Sequence, residues 1–348
     1  MLPRTNAVHP RPSRSGKIAA VRVLIVKTSS MGDIVHALPM VTDIARAFPH
    51  ARIDWVVEDA FAEIPRLHPS VSRIIPIALR RWRKKPFSRQ SWRELFAARS
   101  SLRRIRYHTI IDCQGLLKSA LVAVSARGPV SGFSRTSARE PLATFFYRRT
   151  ASIDRRLHAV DRNRRLAAFA LGYALDGAAE FGLRPPPGEG IFAESGAVLL
   201  LTNASRATKL WPDAHWAELE RHLAGRGYRC LLPWGSEAER QACERRAQPM
   251  VAAQVLPRAN LSQLASLAAC ATLTIGLDTG LTHLAAATGT PSVGIYCDYD
   301  PGMVGLRGSE RVASLGGVGM IKTENQNQYF RIVLHNKLSS FYILNLIY

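Results

Sequence analysis

Short apolar runs recur along the chain, and most are followed by small or polar residues and then by a stretch with helical character. In the first half the runs fall at 21–26, 53–57, 74–77 and 109–112 and are rich in Val and Ile. That composition suits strands buried on both faces. Residues 37–48 read as a helix after the first of them. In the second half the strand-like runs are 198–201, 229–232, 273–277 and 293–296. Helices are expected from Trp211-Pro212 through 223, from 237 onward, over 261–270 and at 284–287. Strands alternating with helices predict a parallel sheet covered on both faces, once in each half. Between the halves, 182–197 carries Pro185-Pro186-Pro187-Gly188, a composition that marks a linker. The pattern therefore predicts an α/β chain of two Rossmann-like domains, 21–182 and 198–320, joined by a linker at 183–197, with a cleft expected between them.

Composition narrows the class. The chain has 348 residues, of which 47% are hydrophobic, enough for two ordinary cores. No run of 18 apolar residues occurs, so no spanning helix is expected. Residues 1–20 are polar and basic and lack the apolar centre of a secretory signal; they read as a disordered extension. The five cysteines are scattered with no C-x-x-C pair, which argues against a disulfide framework or a zinc site and fits the cytoplasm. Net charge is +21, and +18 of it lies in 1–195 against +1 in 196–320. Residues 80–106 hold 11 basic residues and a single acid, Glu94. Such a stretch is either a solvated helix face or a footprint for a polyanion, whether nucleic acid or an anionic membrane surface.

Candidate chemistry gathers at strand ends. Asp278-Thr279-Gly280-Leu281-Thr282-His283 follows one predicted strand and opens a helix. That order leaves backbone N–H groups for a phosphate; Asp278 or Thr279 can cap the helix, and His283 lies one turn beyond Thr279. A purely structural capped turn has the same residues. Lys27-Thr28-Ser29-Ser30-Met31-Gly32-Asp33-Ile34-Val35-His36 follows the first strand and is neither a Walker loop nor G-x-G-x-x-G. Arg80-Arg81-Trp82-Arg83-Lys84-Lys85 is either a helix surface or a grip on phosphate and carboxylate groups. Asp112-Cys113-Gln114-Gly115-Leu116-Leu117-Lys118-Ser119 ends another strand. Ser137-Ala138-Arg139-Glu140-Pro141 is expected to precede a long helix containing His158, Asp161 and Arg162. No repeated histidine–carboxylate spacing suggests a metal.

Taken in order, these segments resemble the bacterial lipopolysaccharide heptosyltransferases, glycosyltransferase family 9, and within it the heptosyltransferase I branch. The resemblance runs over about 21–320 and adds Lys209-x-Trp211-Pro212 and Pro233-Trp234-Gly235-Ser236 to the segments above. It implies a glycosyltransferase-B fold, two Rossmann-like domains facing across a cleft. It implies transfer of L-glycero-D-manno-heptose from ADP-heptose to a Kdo sugar of lipid A, with inversion and no required cofactor or metal. On the same basis Asp33 matches the base, whose structural alternative is a helix cap. Lys209 matches a contact to the nucleotide phosphates. Ala204 and Ser205 match a phosphate-side pair that is usually hydroxylic, from which Ala204 departs. Glu239 matches a carboxylate for the ribose, with Glu237 as a close decoy, and Ala259 a backbone contact to adenine. Asp278, Thr279, Gly280 and His283 complete the nucleotide side. Gly32, Arg80, Arg81, Arg83, Lys84, Gln114, Lys118 and Arg139 are the acceptor-side candidates.

The implied enzyme is cytoplasmic and peripheral, held on the inner membrane's anionic cytoplasmic face. A later heptosyltransferase that adds heptose to heptose is the near alternative; the basic 80–85 segment favours Kdo-lipid A. A nucleic-acid-binding protein is the remote one, suggested by a pI of 10.6, but the stacked aromatics and modules of such proteins are missing. Residues 321–348 contain four Asn, as many as the preceding 320, and no Ala, Pro or Gly. That abrupt shift suggests a foreign reading frame.

Overall fold

The computed structural model describes residues 20–317. The expected extension, apart from residue 20, and the Asn-rich tail lie outside the described residues. Two compact units divide the chain at 180/181, and the second also takes residues 30–36.

Up to residue 180 the elements are β1 (Arg22–Val26), α1 (Met31–Val35), α2 (Leu38–Ala47), β2 (Arg52–Glu58), α3 (Glu63–Arg66), β3 (Val71–Ile77), α4 (Leu79–Lys84), α5 (Arg89–Arg103), β4 (Thr109–Asp112), α6 (Leu117–Ser125), β5 (Val130–Phe133), β6 (Arg149–Ala151) and α7 (Ala159–Leu171). Of these, α1 belongs to the second unit. The sheet of the first unit runs β3-β2-β1-β4-β5-β6, and all its strands are parallel. Strand β1 is apolar from Val23 to Val26 because neighbours cover both of its faces, and all four side chains are fully buried. Val26 is in register with Val56 on one side and Asp112 on the other. The loops after β1 and β4 therefore emerge side by side, where the strand order reverses.

Two buried carboxylates of this unit, Asp112 and Asp43, are well paired. Asp112 accepts from the N–H groups of Gln114 and Gly115, from Ser119 Oγ and from Tyr147 Oη. Burial still pushes its carboxyl above the ordinary range. Arg164 on α7 forks onto Asp43 of α2, at 2.7 and 3.1 Å, with both side chains buried. The same guanidinium donates to the carbonyls of Asp176, Gly177 and Ala178, tying down the chain that leaves α7.

The long helix expected after Pro141 does not form there. A 3-10 turn (Pro141–Phe146) and β6 intervene, and α7 starts only at Ala159. His158 is its N-cap, with Nδ1 accepting from the Val160 N–H. The basic 80–85 segment is mostly helical, forming α4.

The second unit continues with β7 (Val198–Leu201), α8 (Asp213–Ala224), β8 (Cys230–Leu232), α9 (Glu237–Ala247), β9 (Ala253–Val255), α10 (Leu261–Cys270), β10 (Leu273–Leu277), α11 (Gly280–Ala287), β11 (Ser292–Tyr296), α12 (Pro301–Val304) and β12 (Val312–Gly316). Its parallel sheet runs β12-β11-β10-β7-β8-β9, the same winding as the first, with the reversal between β7 and β10. Trp216 of α8 is fully buried among Leu200, Leu232 and Ile275, with Trp211 edge-on at 4.9 Å. The linker region holds a 3-10 turn at Gly190–Ala193, and Phe192 packs into the other face of this sheet.

Candidate functional site

The site grows from the reversal point of the second sheet, where a parallel α/β sheet offers its strand ends to a ligand. Strand β10 ends at Leu277, Thr279 is the N-cap of α11, and the helix begins at Gly280. Thr282 Oγ donates to the Leu277 carbonyl at 2.6 Å and lies 3.1 Å from Thr279 Oγ, which pins the turn. A β-carbon on Gly280 would stand 2.8 Å from the Gly32 nitrogen and closer still to Met31 Cβ. One on Gly32 would stand 3.1 Å from His283 Cδ2. The two glycines let α1 and α11 pack backbone to backbone.

Opposite this turn, the loop after β7 ends in the 3-10 turn Ala207–Lys209. Lys209 Nζ donates to the Asp278 carbonyl at 3.1 Å and makes a short contact with the Asp278 carboxylate. The other carboxylate oxygen lies 3.3 Å from His283 Nε2. His283 Nδ1 is in turn 3.2 Å from His36 Nε2, and the two rings meet edge to face. A chain of polar contacts thus runs from Lys209 through Asp278 and His283 to His36, nearly all out of solvent. Burial alone pushes the Asp278 carboxyl up, but the hydrogen bonds and charges of His283 and Lys209 outweigh it and hold the group below its ordinary range.

Asp33 sits in the first turn of α1. Its Oδ2 accepts from the Ser30 backbone N–H at 3.0 Å and from Ser30 Oγ at 2.9 Å. The cap anticipated as the structural alternative is present, and it fixes the carboxylate's direction.

The remaining nucleotide-side candidates lie around the same sheet. Ala204 packs half-buried against the core around Trp216, and Ser205 is exposed. Glu239 accepts from the N–H groups of Gly235 and Ser236 as part of a capping box on α9. Glu237 is engaged by Arg240. Ala259 packs at the edge of the core under α10.

On the first unit, Gln114 is committed to its own loop. Its Oε1 accepts from the Thr28 and Ser29 N–H groups and its Nε2 donates to the Ser29 carbonyl. Arg81 is paired with Asp59 and Glu94, and Arg80 lies over the Phe61 ring. Arg83, Lys84, Lys118 and Arg139 are exposed.

The structure thus joins Lys209, Asp278, Thr279, Gly280, His283 and Gly32 into one neighbourhood. His36 enters it without having been singled out. Its only signal in the sequence is a place three residues beyond Asp33. Among the described residues, no group of three or more His, Cys, Asp and Glu is placed to hold a metal ion.

A family model described as glycosyltransferase family 9 (heptosyltransferase) matches residues 81–329. Lipopolysaccharide heptosyltransferase 1 of Pseudomonas aeruginosa is 44% identical over 300 residues, covering 84% of this chain and 83% of that protein. Its counterpart in Escherichia coli K12 is 42% identical over 300 residues, covering 84% and 92%. The solved structure of E. coli heptosyltransferase WaaC with ADP superposes with a TM-score of 0.82 at 38% identity, covering 90% of this chain and 99% of that one. WaaC with ADP-2-deoxy-2-fluoro heptose gives 0.79 at 37% identity, covering 89% and 98%.

Proposed function

The chain belongs to glycosyltransferase family 9, the heptosyltransferases, and from that membership we propose that it transfers L-glycero-D-manno-heptose from ADP-heptose to a Kdo sugar of lipid A in lipopolysaccharide core synthesis. The observation that carries the donor half is the meeting of Lys209 with the Asp278–Gly280 turn at the reversal point of the second sheet. A nucleoside diphosphate suits it: an ammonium group and the first N–H groups of α11 converge where a leaving diphosphate gathers charge. The relative solved both with ADP and with an ADP-heptose analogue supports the same assignment.

In the transfer, the acceptor hydroxyl oxygen attacks the anomeric carbon of heptose from the face opposite ADP. The carbon–oxygen bond to the β-phosphate breaks, and the configuration inverts. Asp33 takes the hydroxyl proton as the bond forms. Ser30, bonded to Oδ2, keeps the carboxylate aimed while it does so. Lys209 and the α11 N–H groups stabilise the departing ADP. Asp278 holds Lys209 in place before the donor arrives, and His283 holds Asp278. Glu239 serves the ribose, Ala259 the adenine, and Ser205 a phosphate oxygen, with Ala204 contributing no hydroxyl of its own. Arg80, Arg83, Lys84, Lys118 and Arg139 carry the charge for an acceptor rich in phosphate and carboxylate, whereas Arg81 is already held by Asp59 and Glu94. Gln114 acts by fixing the loop after β1.

An acceptor embedded in the inner membrane places the enzyme on its cytoplasmic face as a peripheral protein. The +18 of residues 1–195 favours that surface, and no described helix is long and apolar enough to cross it. The test is incubation with ADP-heptose and Kdo-lipid A, following ADP release and the mass of the lipid. One heptose added per ADP released is expected. Release of ADP only when the acceptor already bears a heptose would instead assign the chain to a later step.

A further inference from the structure

The basic stretch that begins at α4 carries a second feature that charge alone does not explain. Phe87 is 93% exposed, Phe96 61% and Trp92 49%. Phe87 lies in the turn between α4 and α5, and the other two project from α5. Trp92 and Phe96, one helical turn apart, lie with ring centroids 5.9 Å apart and form a single aromatic ridge. The opposite side of α5 buries Ser91, Ala98 and Leu102. The ridge is therefore the helix's outward face and not a misplaced part of its core. Exposed cations surround it: Lys85 and Arg89 precede it, Arg93 lies within it, and Arg99 and Arg103 follow. The one acid in this stretch, Glu94, is taken up by Arg81, Trp82 Nε1 and Gln90. No carboxylate of the segment itself is left to oppose an anionic partner.

Scattered apolar side chains on a surface need no explanation, but a paired Trp and Phe ringed by arginines has the composition of an interfacial anchor. We propose that the outward face of α5, with Phe87 before it, is a membrane-docking surface. Trp92, Phe96 and Phe87 enter the boundary between headgroups and acyl chains of an anionic bilayer, while the flanking Arg and Lys groups pair with lipid phosphates. A bilayer is favoured over a protein partner by this charge complementarity and by the stems of Arg and Lys, which can lie along apolar surface with their heads among phosphates. The segment begins where β3 gives way to α4, next to the cations assigned to the acceptor. The proposal rests on the reading of that acceptor as a membrane lipid, and it adds a grip that salt does not screen. Electrostatic attraction fades within a Debye length as ionic strength rises, whereas burial of aromatic surface does not.

The test is co-sedimentation of the full chain with vesicles of phosphatidylglycerol and phosphatidylethanolamine, at low salt and at 1 M salt, for wild type and a Trp92→Gln/Phe96→Gln variant. Both side chains are exposed, and neither belongs to the site. The wild type should keep a salt-resistant fraction on the vesicles. The variant should lose it and bind about tenfold more weakly at low salt, the scale for withdrawing two partly inserted aromatic groups. Turnover should fall on lipid acceptor in vesicles but stay unchanged on a delipidated, water-soluble acceptor. Equal vesicle binding by variant and wild type would overturn the proposal. So would a change from dimer to monomer by sedimentation with vesicle affinity intact, which would make the ridge a contact between copies. A salt-resistant fraction lost in the variant, with wild type turning over neither acceptor, would support the docking face and defeat the acceptor reading alone.

Discussion

His36 Nε2 lies 3.2 Å from His283 Nδ1, and His283 presents its other nitrogen to the Asp278 carboxylate. An ionised carboxylate can only accept, so His283 Nε2 carries a proton. His283 Nδ1 and His36 Nε2 then share one hydrogen bond, one ring donating and the other accepting. His36 thereby fixes the tilt of the ring that holds Asp278, which in turn holds Lys209. Replacing His36 with Ala should weaken ADP binding by about 0.5–1.5 kcal/mol, the usual net worth of one hydrogen bond. Gln at this position, whose amide can donate, should recover most of the loss. Calorimetric titration with ADP decides it, and equal affinities for wild type and His36→Ala would reduce His36 to packing.

The Asp33 carboxylate caps its own helix, so a substitution must spare the cap to test the chemistry. Asp33→Asn keeps an oxygen to accept from Ser30 and removes the ability to take a proton. Turnover should fall about 10²–10⁴-fold, the range for loss of a general base, with ADP affinity and melting temperature little changed. A variant that turns over near the wild-type rate would show that Asp33 only caps.

Lys209→Ala removes the charge that meets the diphosphate and should weaken ADP binding by about 1.5–3 kcal/mol. Unchanged affinity by calorimetry would place Lys209 outside the donor site.

Asp278 gives a prediction with a definite pH sign. Burial raises its carboxyl, but His283 and Lys209 more than compensate, so the folded value lies below the unfolded one of about 3.9. Its contribution to stability is therefore complete above the unfolded value and is lost as pH falls through the folded one. Asp278→Asn should be less stable than wild type at pH 7, and the gap should close below about pH 4. Denaturant midpoints of both proteins between pH 3 and pH 7 measure it. A gap that widens toward low pH would contradict the compensation.

Arg164 and Asp43 form a buried fork in the first unit. Arg164→Met leaves Asp43 as an uncompensated buried charge and releases three carbonyls beyond α7. A loss of about 3–5 kcal/mol is expected in the unfolding of that unit. The double change Asp43→Leu/Arg164→Met should be milder than the single one. If it is not, the carbonyl contacts dominate.

Most of the strand framework was legible because its strands are apolar runs, such as 23–26 and 198–201, that only a sheet covered on both faces would bury. Edge strands β6, β9 and β12 were not legible. Arg-Thr-Ala and Ala-Gln-Val are too short and too polar to show a period, and edge position relaxes the demand for apolar residues. β5, with Ser and Gly in its four residues, was missed for a similar reason. The order of motifs, each at the end of a strand, was also written in the chain and pointed to the family. Partnership was not. That Arg81 is neutralised by Asp59 and Glu94, that Gln114 spends its amide on the β1 loop, and that His36 meets His283 across 247 positions are facts of distance in space. Sequence spacing encodes contacts within one helix or strand, but a contact between elements depends on how the sheet orders them. Here only the tertiary structure decided which cations remain available to a ligand and which are already held.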